Sequence, residues 1–305
     1  MPPAPIIVSN LRKTYGATVA VADVSLEVRE GEIFGLIGPN GAGKTTTMEC
    51  VQGLRKADSG AIEVLGLHPR RDASKLRHRI GVQHQEAQLQ KRIKVWEAVD
   101  LWSTLYPVAV DTDELLGRLG LEGKRNSWFM TLSGGQKQRL FIALALVHEP
   151  ELVFLDELTT GLDPQARRAI WGLVTAIRDR GATVFLTTHL MEEAEMLCDR
   201  VGIIDHGRLI EVGTPEELVS KHCPERSVVF TSGDEGVAER LGGMDAVRSA
   251  TSEGETHVLQ GEGDGFVTAV INGIAREGFT VRGFRTEIPT LEDVFLRVTG
   301  HSVRD

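Results

Sequence analysis

The 305-residue sequence predicts an α/β fold with a mixed sheet, an antiparallel β part at the N-terminus and a helical insertion, followed by a small C-terminal α+β domain. Three observations predict it. Short, continuous apolar runs (Glu32 to Ile37, Leu152 to Leu155, Ala182 to Thr187) read as strands buried on both faces, and stretches of helical periodicity separate them. A glycine-rich loop, Gly38 to Thr45, lies between the first of these strands and a helix. Past Cys223-Pro224 the texture changes to short strands mixed with two amphipathic helices. The boundary is therefore placed at residues 222/223, with a helical subdomain over about 86–150 inside the larger part.

The composition is that of a globular chain, 41% hydrophobic and 25% charged, long enough for two domains. A net charge of −9 argues against a nucleic-acid surface, and no nucleic-acid partner is expected. Cys50, Cys198 and Cys223 are far apart and show neither zinc spacing nor a disulfide framework, which suits a reducing cytoplasm. Met1 to Pro5 does not read as a signal peptide, and the apolar run Leu140 to Val147 is far short of a membrane span. If the chain serves transport, another subunit must supply the pore.

Taken in order, Ile6 to Val8 and Val24 to Val28 read as strands. Val24, Leu26 and Val28 alternate with polar residues, the period of a half-buried antiparallel strand. Between them Tyr15 is by position an ordinary turn tyrosine, although its face could stack on an adenine ring. Gly38-Pro39-Asn40-Gly41-Ala42-Gly43-Lys44-Thr45, followed by Thr46, fits G-x-x-x-x-G-K-[ST], the phosphate-binding P-loop. Its glycines let several N–H groups face one anion, Lys44 adds positive charge, and the Thr45 hydroxyl suits Mg²⁺. A helix from Thr45 to Leu54 follows and turns its N-terminal dipole toward the phosphates. The basic stretch Pro69 to Arg79 reads as a solvated helix face, and Ile80 to Gln85 as a strand. Trp96, Val99, Trp102 and Leu105 keep a helical stripe, and Asp113 to Leu119 suggests a second helix.

Ser133 and Gln136 have capping-box spacing at the start of a helix running to Val147. Alone, Ser133-Gly134-Gly135-Gln136 reads as a well-capped helix start; beside a P-loop it reads as a second anion site. The run Leu152 to Leu155 ends in Asp156 and Glu157. Two carboxylates there are costly to desolvate without a cation or partner, and they suit Mg²⁺ binding and the polarising of a water, respectively. Gly161 to Pro164 turns into another helix, and His189 stands just beyond the strand Ala182 to Thr187. Val201 to Ile204 and Leu209 to Val212 read as a hairpin. In the last part, strands are expected over Ser227 to Thr231, Thr256 to Gln260 and Phe279 to Phe284. One helix is expected from Phe266 to Glu277, with Val267, Ile271 and Ile274 on its apolar face. Another is expected from Thr290 to Val298, capped by Thr290 and Asp293.

In this order, GPNGAGKTT, LSGGQKQRL, LVFLDE and TTH resemble the ATPase subunit of ATP-binding cassette (ABC) transporters from Ile6 to about Val219. The resemblance implies a P-loop NTPase fold, ATP hydrolysis with Mg²⁺, a separate transmembrane permease, and a second copy of the chain in a head-to-tail dimer. It implies adenine stacking by Tyr15 and phosphate binding by Gly38 to Thr46. Mg²⁺ would be held by Thr45, Gln85 and Asp156, with Glu157 as general base and His189 on the γ-phosphate. Gln85 aligns with the family's Q-loop better than Gln83. Ser133, Gly134, Gly135, Gln136 and Asp163 would meet ATP held by the other subunit. The family usually has proline after the two acids; Leu158 stands there instead, removing a bias of Glu157 toward extended backbone. The segment Ile288 to Gly300 resembles the tail of multidrug, lipid and polysaccharide exporter ATPases of the daunorubicin-resistance type. The implied location is the cytoplasmic face of the cell membrane. Two alternatives stand beside the exporter: an importer ATPase with a regulatory C-terminal domain, and a soluble ABC protein without a transport role.

Overall fold

The structure is a computed structural model that describes residues 4–84, 88–107, 110–263 and 265–300. The described residues divide into two compact units, one running to Pro215 and one beginning at Glu216. The division falls ahead of Cys223-Pro224, so almost all of the helix Pro215–His222 goes with the second unit.

In the first unit the chain runs β1 (Ile6–Tyr15), β2 (Thr18–Val28), β3 (Ile33–Ile37), α1 (Lys44–Val51), β4 (Ser59–Val64), α2 (Ala73–Leu76) and β5 (Ile80–Gln83). The helical insertion holds α3 (Val95–Ser103), α4 (Thr112–Arg118) and α5 (Gly134–Leu146). Then come β6 (Leu152–Asp156), α6 (Pro164–Asp179), β7 (Thr183–Thr188), α7 (Met191–Leu197), β8 (Arg200–Asp205) and β9 (Arg208–Gly213). Among the described residues the strands form a nine-stranded sheet in the order β4-β1-β2-β9-β8-β3-β7-β6-β5. β1 pairs antiparallel with both β2 and β4, and Val24, Leu26 and Val28 are buried as their alternation requires. Tyr15 closes β1 rather than lying in a loop between strands.

The other half of the sheet positions the site. β3, β5, β6, β7 and β8 run parallel, and their carboxyl ends are in register: Ile37 beside Thr188 and Ile203, Asp156 beside Thr187, Gln83 beside Leu155. Every residue of β3, β6 and β7 is buried, as the apolar runs at their centres predict. Phe34 and Phe154 lie 5.8 and 5.9 Å, centroid to centroid, from Phe185 and form the middle of the core. Burial of each such ring contributes roughly 1.5–3 kcal/mol.

Several local expectations are corrected. The basic stretch Pro69 to Arg79 is not one helix: only Ala73–Leu76 is helical, because the N–H groups of Arg70 and Arg71 turn to His68 Nδ1. The buried face of α3 is Val95, Ala98 and Val99; Leu105 lies past its end and is exposed, and of the expected stripe only Val99 is buried.

The second unit contains α8 (Pro215–His222), β10 (Glu225–Thr231), α9 (Val237–Gly242), β11 (Ser249–Glu253), β12 (Thr256–Glu262), α10 (Gly265–Glu277), β13 (Arg282–Glu287) and α11 (Leu291–Thr299). Its strands form a separate antiparallel sheet in the order β11-β12-β10-β13. Val228, Phe230, Leu259, Phe266 and Val270 anchor its own core. Strand β11 and helix α9 carry too little periodicity to be read locally. β13 begins at Arg282 rather than Phe279, because Phe279 and Val281 pack against the core from the turn. α10 buries Phe266, Val270 and Gly273, leaving Ile271 exposed; its apolar face is rotated from the expected one. The Thr290–Asp293 cap of α11 is present, with Thr290 N donating to Asp293 Oδ2 at 2.8 Å.

Candidate functional site

The loop Gly38 to Thr45 leaves β3 and enters α1 at the carboxyl edge of the parallel strands, where ligands collect in open α/β sheets. Two of its glycines are required by space. A β-carbon at Gly38 would collide with the Ile204 carbonyl, and one at Gly43 with that of Ala20. Gly43 also has φ 104°, a backbone closed to other L-residues. Lys44 is buried, and its Nζ donates to the carbonyls of Gly38 and Pro39, 2.9 Å each, so the side chain spans its own loop. A cleft of about 340 Å³ opens over the loop. Among its walls are Tyr15, Asn40, Gly41, Lys44, Thr45 and Glu157. Tyr15 is 41% exposed on this cleft, with Lys13 Nζ and Arg55 Cζ 5.4 and 5.5 Å from its ring centre.

The register of β6 beside β7 brings the two acids to the loop. Thr45 Oγ1 donates to Asp156 Oδ1 at 3.3 Å, and Thr187 Oγ1 makes a short hydrogen bond to the same oxygen. Glu157 Oε1 lies 3.6 Å from Lys44 Nζ and 3.4 Å from His189 Nδ1, the latter without hydrogen-bond geometry. Its backbone N–H donates to Thr187 O and Oγ1 at 3.1 and 3.2 Å. Glu157 has φ 46°, a left-handed conformation outside the extended region that a following proline imposes; Leu158 permits it. Burial pushes the Asp156 carboxyl above the ordinary aspartate range, against the Thr187 hydrogen bond, and neighbouring Glu157 pushes it the same way. Burial lowers the Lys44 ammonium, opposed by Glu157 and Asp156. Two desolvated carboxylates facing one desolvated ammonium leave the cluster short of positive charge, the condition that oxygen-bound Mg²⁺ relieves.

Ser133 and Gln136 close the expected capping box on α5: Gln136 N donates to Ser133 Oγ at 3.3 Å and Ser133 N to Gln136 Oε1 at 3.0 Å. Asp163 caps α6 by accepting from Ala166 N at 2.9 Å. These two starts pack together: a β-carbon at Gly135 would stand 3.1 Å from Ala166 Cβ, and one at Gly134 3.5 Å from Leu162 Cδ2. Ser133 and Gly134 are exposed, and none of Ser133 to Gln136 or Asp163 is among the described residues lining the P-loop cleft. The sheet thus brings together the P-loop, Asp156, Glu157, His189 and Tyr15, and leaves Ser133 to Gln136 and Asp163 elsewhere on the unit. Gln85 lies outside the described residues. Gln83 is buried, its Nε2 turned to the His84 carbonyl at 2.7 Å.

Sequence reasoning missed Thr187, which holds both Asp156 and the Glu157 backbone. A hydroxyl following the apolar run Val184–Leu186, two residues before His189, was the available signal. It also missed Ala22 and Gly207, which support the loop through backbone: Gly207 N donates to Ala42 O at 2.9 Å and Ala22 N to Gly207 O at 2.7 Å.

The family model described as ABC transporter matches residues 21–160. The chain is 34% identical to the linearmycin resistance ATP-binding protein of Bacillus subtilis, over 97% of this chain and 98% of that one. It is 37% identical to the Nod factor export ATP-binding protein I of Ralstonia nicotianae, over 98% and 94% of the two chains. The dimeric structure of a bacterial ABC transporter cassette superposes with a TM-score of 0.62 at 27% identity, covering 68% of this chain and 98% of that chain. A P-loop at the carboxyl edge of a mixed sheet, an LSGGQ helix start and near full-length relatives agree: the chain belongs to the ABC transporter family, as an ATP-binding and ATP-hydrolysing subunit of a transporter.

Proposed function

We propose that the chain powers export by a separate transmembrane permease, through ATP-driven closure and hydrolytic opening of a head-to-tail dimer. One observation supports the dimer: the capped start of α5, a second candidate anion site, is not among the described residues lining the P-loop cleft of the same chain. In the closed pair, Gly38 to Thr46 of one copy hold the phosphates and Tyr15 lies against adenine. Ser133 to Gln136 of the second copy present their N–H groups to the γ-phosphate, with Asp163 beside them. ATP joins the two copies, and loss of its γ-phosphate contacts releases them.

The Thr45 hydroxyl and the Asp156 carboxylate are hard oxygen donors 3.3 Å apart, a set that fits Mg²⁺; Gln85 is assigned as the third ligand. Bound there, Mg²⁺ supplies charge neutralisation at the β- and γ-phosphates. Glu157 takes a proton from the attacking water as its oxygen bonds to the γ-phosphorus and the bond to the ADP oxygen breaks. Lys44, 3.6 Å from Glu157, holds that carboxylate beside the phosphates, and His189, 3.4 Å from it, is assigned to the γ-phosphate.

Export is supported by the relatives, one named for resistance to linearmycin and one for Nod factor export, and by the exporter-type tail Ile288 to Gly300. Drugs, lipids or polysaccharides are the cargo classes that tail suggests. The permease is assigned to another chain, and this one to the cytoplasmic membrane face, on the strength of relatives named as ATP-binding proteins of export and resistance systems; among the described residues no helix is long and apolar enough to cross a membrane. The second unit, from Glu216 on, is assigned an accessory role in dimer contact or regulation. The test is affinity isolation from native membranes, followed by transport in inverted vesicles holding the isolated complex. The expected result is co-isolation of a polytopic membrane protein and ATP-dependent uptake of an amphiphilic probe such as daunorubicin. Isolation without a membrane protein refutes the transport complex; movement out of inverted vesicles refutes export.

A further inference from the structure

Behind the catalytic edge, Glu193 is 2% exposed on α7. Its Oε1 accepts from Thr159 Oγ1 at 2.7 Å and from Trp171 Nε1 at 3.1 Å. The donors are themselves buried, Thr159 fully and Trp171 nearly so. The three groups come from three different segments. Thr159 stands two residues after Glu157. Trp171 is on α6, which Asp163 caps. Glu193 is in the helix that follows His189.

A carboxylate is an expensive way to fill such a place. A leucine or methionine would pack there without the desolvation cost, whereas removing the acceptor alone strands two buried donors. An acceptor that receives two directional bonds does what apolar packing cannot: it holds three chain segments in one relative position. The turn it holds is short and internally bonded, with Thr160 N donating to Glu157 O at 3.3 Å and Leu162 N to Thr159 O at 3.1 Å. A shift of Thr159 is therefore transmitted to the left-handed backbone of Glu157, and a shift of α7 to His189.

We propose that Glu193 is a positioning residue for hydrolysis, tying the Glu157 turn, the Asp163 helix and the His189 helix at one buried oxygen. The proposal rests on the reading of Glu157 as general base. Glu193 does not line the nucleotide cleft, so its loss is expected in turnover and not in nucleotide binding.

The test is steady-state phosphate release by the full chain over a range of ATP concentrations. Glu193→Met is expected to lower kcat at least tenfold with KM within about twofold of wild type. Glu193→Gln keeps an oxygen that accepts both bonds and is expected to retain kcat within about threefold. Thr159→Val and Trp171→Phe each remove one donor while preserving bulk, and are expected to lower kcat by intermediate factors with KM unchanged; they decide the matter if Glu193→Met does not fold. The proposal is overturned by wild-type kcat in Glu193→Met, or in both donor variants, by a rise in KM matching the fall in kcat, or by Glu193→Gln as impaired as Glu193→Met. Failure of the general-base reading shows separately, as near-normal turnover in Glu157→Gln.

Discussion

Replacing Thr187 with valine keeps the branched shape and the strand preference of the side chain and removes one hydroxyl from the centre of the site. That hydroxyl donates to Asp156 Oδ1 and accepts from Glu157 N at 3.2 Å. Thr187 is 1% exposed and Asp156 5%, so water is poorly placed to take over. A hydrogen bond to a charged group is worth about 1.5–3 kcal/mol. A domain of some 150–250 residues moves about 2–4 °C per kcal/mol, so Thr187→Val is expected to lower the unfolding midpoint by roughly 3–12 °C. Thr187→Ser keeps the hydroxyl and loses one buried methyl, about 0.8 kcal/mol, for a fall of roughly 2–3 °C. The assay is calorimetry of the full chain with EDTA and without nucleotide. Asp156 is raised in the fold, so its contribution is present below the unfolded aspartate range and is lost as pH rises through the folded value. Without Thr187 that loss grows, and the gap between variant and wild type should narrow as the pH is lowered. A valine midpoint within about 1 °C of wild type at neutral pH refutes the assignment of Thr187 as the hydroxyl that holds the acids.

Glu157→Gln should bind ATP, accumulate an ATP-bound dimer by light scattering, and hydrolyse at least about a hundredfold more slowly; normal phosphate release removes Glu157 from its role. Ser133→Arg should abolish that dimer while leaving ATP affinity of the monomer within about twofold, at a cost near 1 kcal/mol for the lost cap on α5; weakened monomer binding in equilibrium titration would instead put Ser133 in the same-chain site. His148 is buried against Tyr106, ring centres 3.9 Å apart, with Nε2 on the Ile80 carbonyl at 3.0 Å. Burial lowers its proton affinity, with His78 adding to that and the Ile80 bond opposing it. The neutral ring therefore contributes stability above about pH 6.5, the unfolded value, that is lost as pH falls through the folded one. His148→Phe should flatten the fall of the unfolding midpoint between pH 7.5 and 5.5, and an unchanged slope would exclude this group as its source.

The parts legible in the sequence were those set by neighbours along the chain. The strand–loop–helix around Lys44, the Ser133–Gln136 box, the Thr290–Asp293 cap and the apolar run ending in Asp156 each depend on residues a few positions apart, where backbone sterics and period operate. Weakly patterned elements, β11 and α9, escaped because their residues take their places from a sheet formed by distant strands. The face of α10 was misread because the sheet it covers, not the helix period alone, selects which residues are inside. The order of the motifs along the chain identified the family, and with it the components of the site. Their assembly is a matter of register. Thr45 meets Asp156 across 111 positions and Thr159 meets Glu193 across 34, contacts created only when β6 and β7 align beside β3. The left-handed turn at Glu157, the Thr187 hydroxyl under both acids and the oxygen shared by Thr159 and Trp171 follow from that alignment. Each is a directional contact between separate segments, and local sequence carries chemical type but not the direction in which a distant partner will lie.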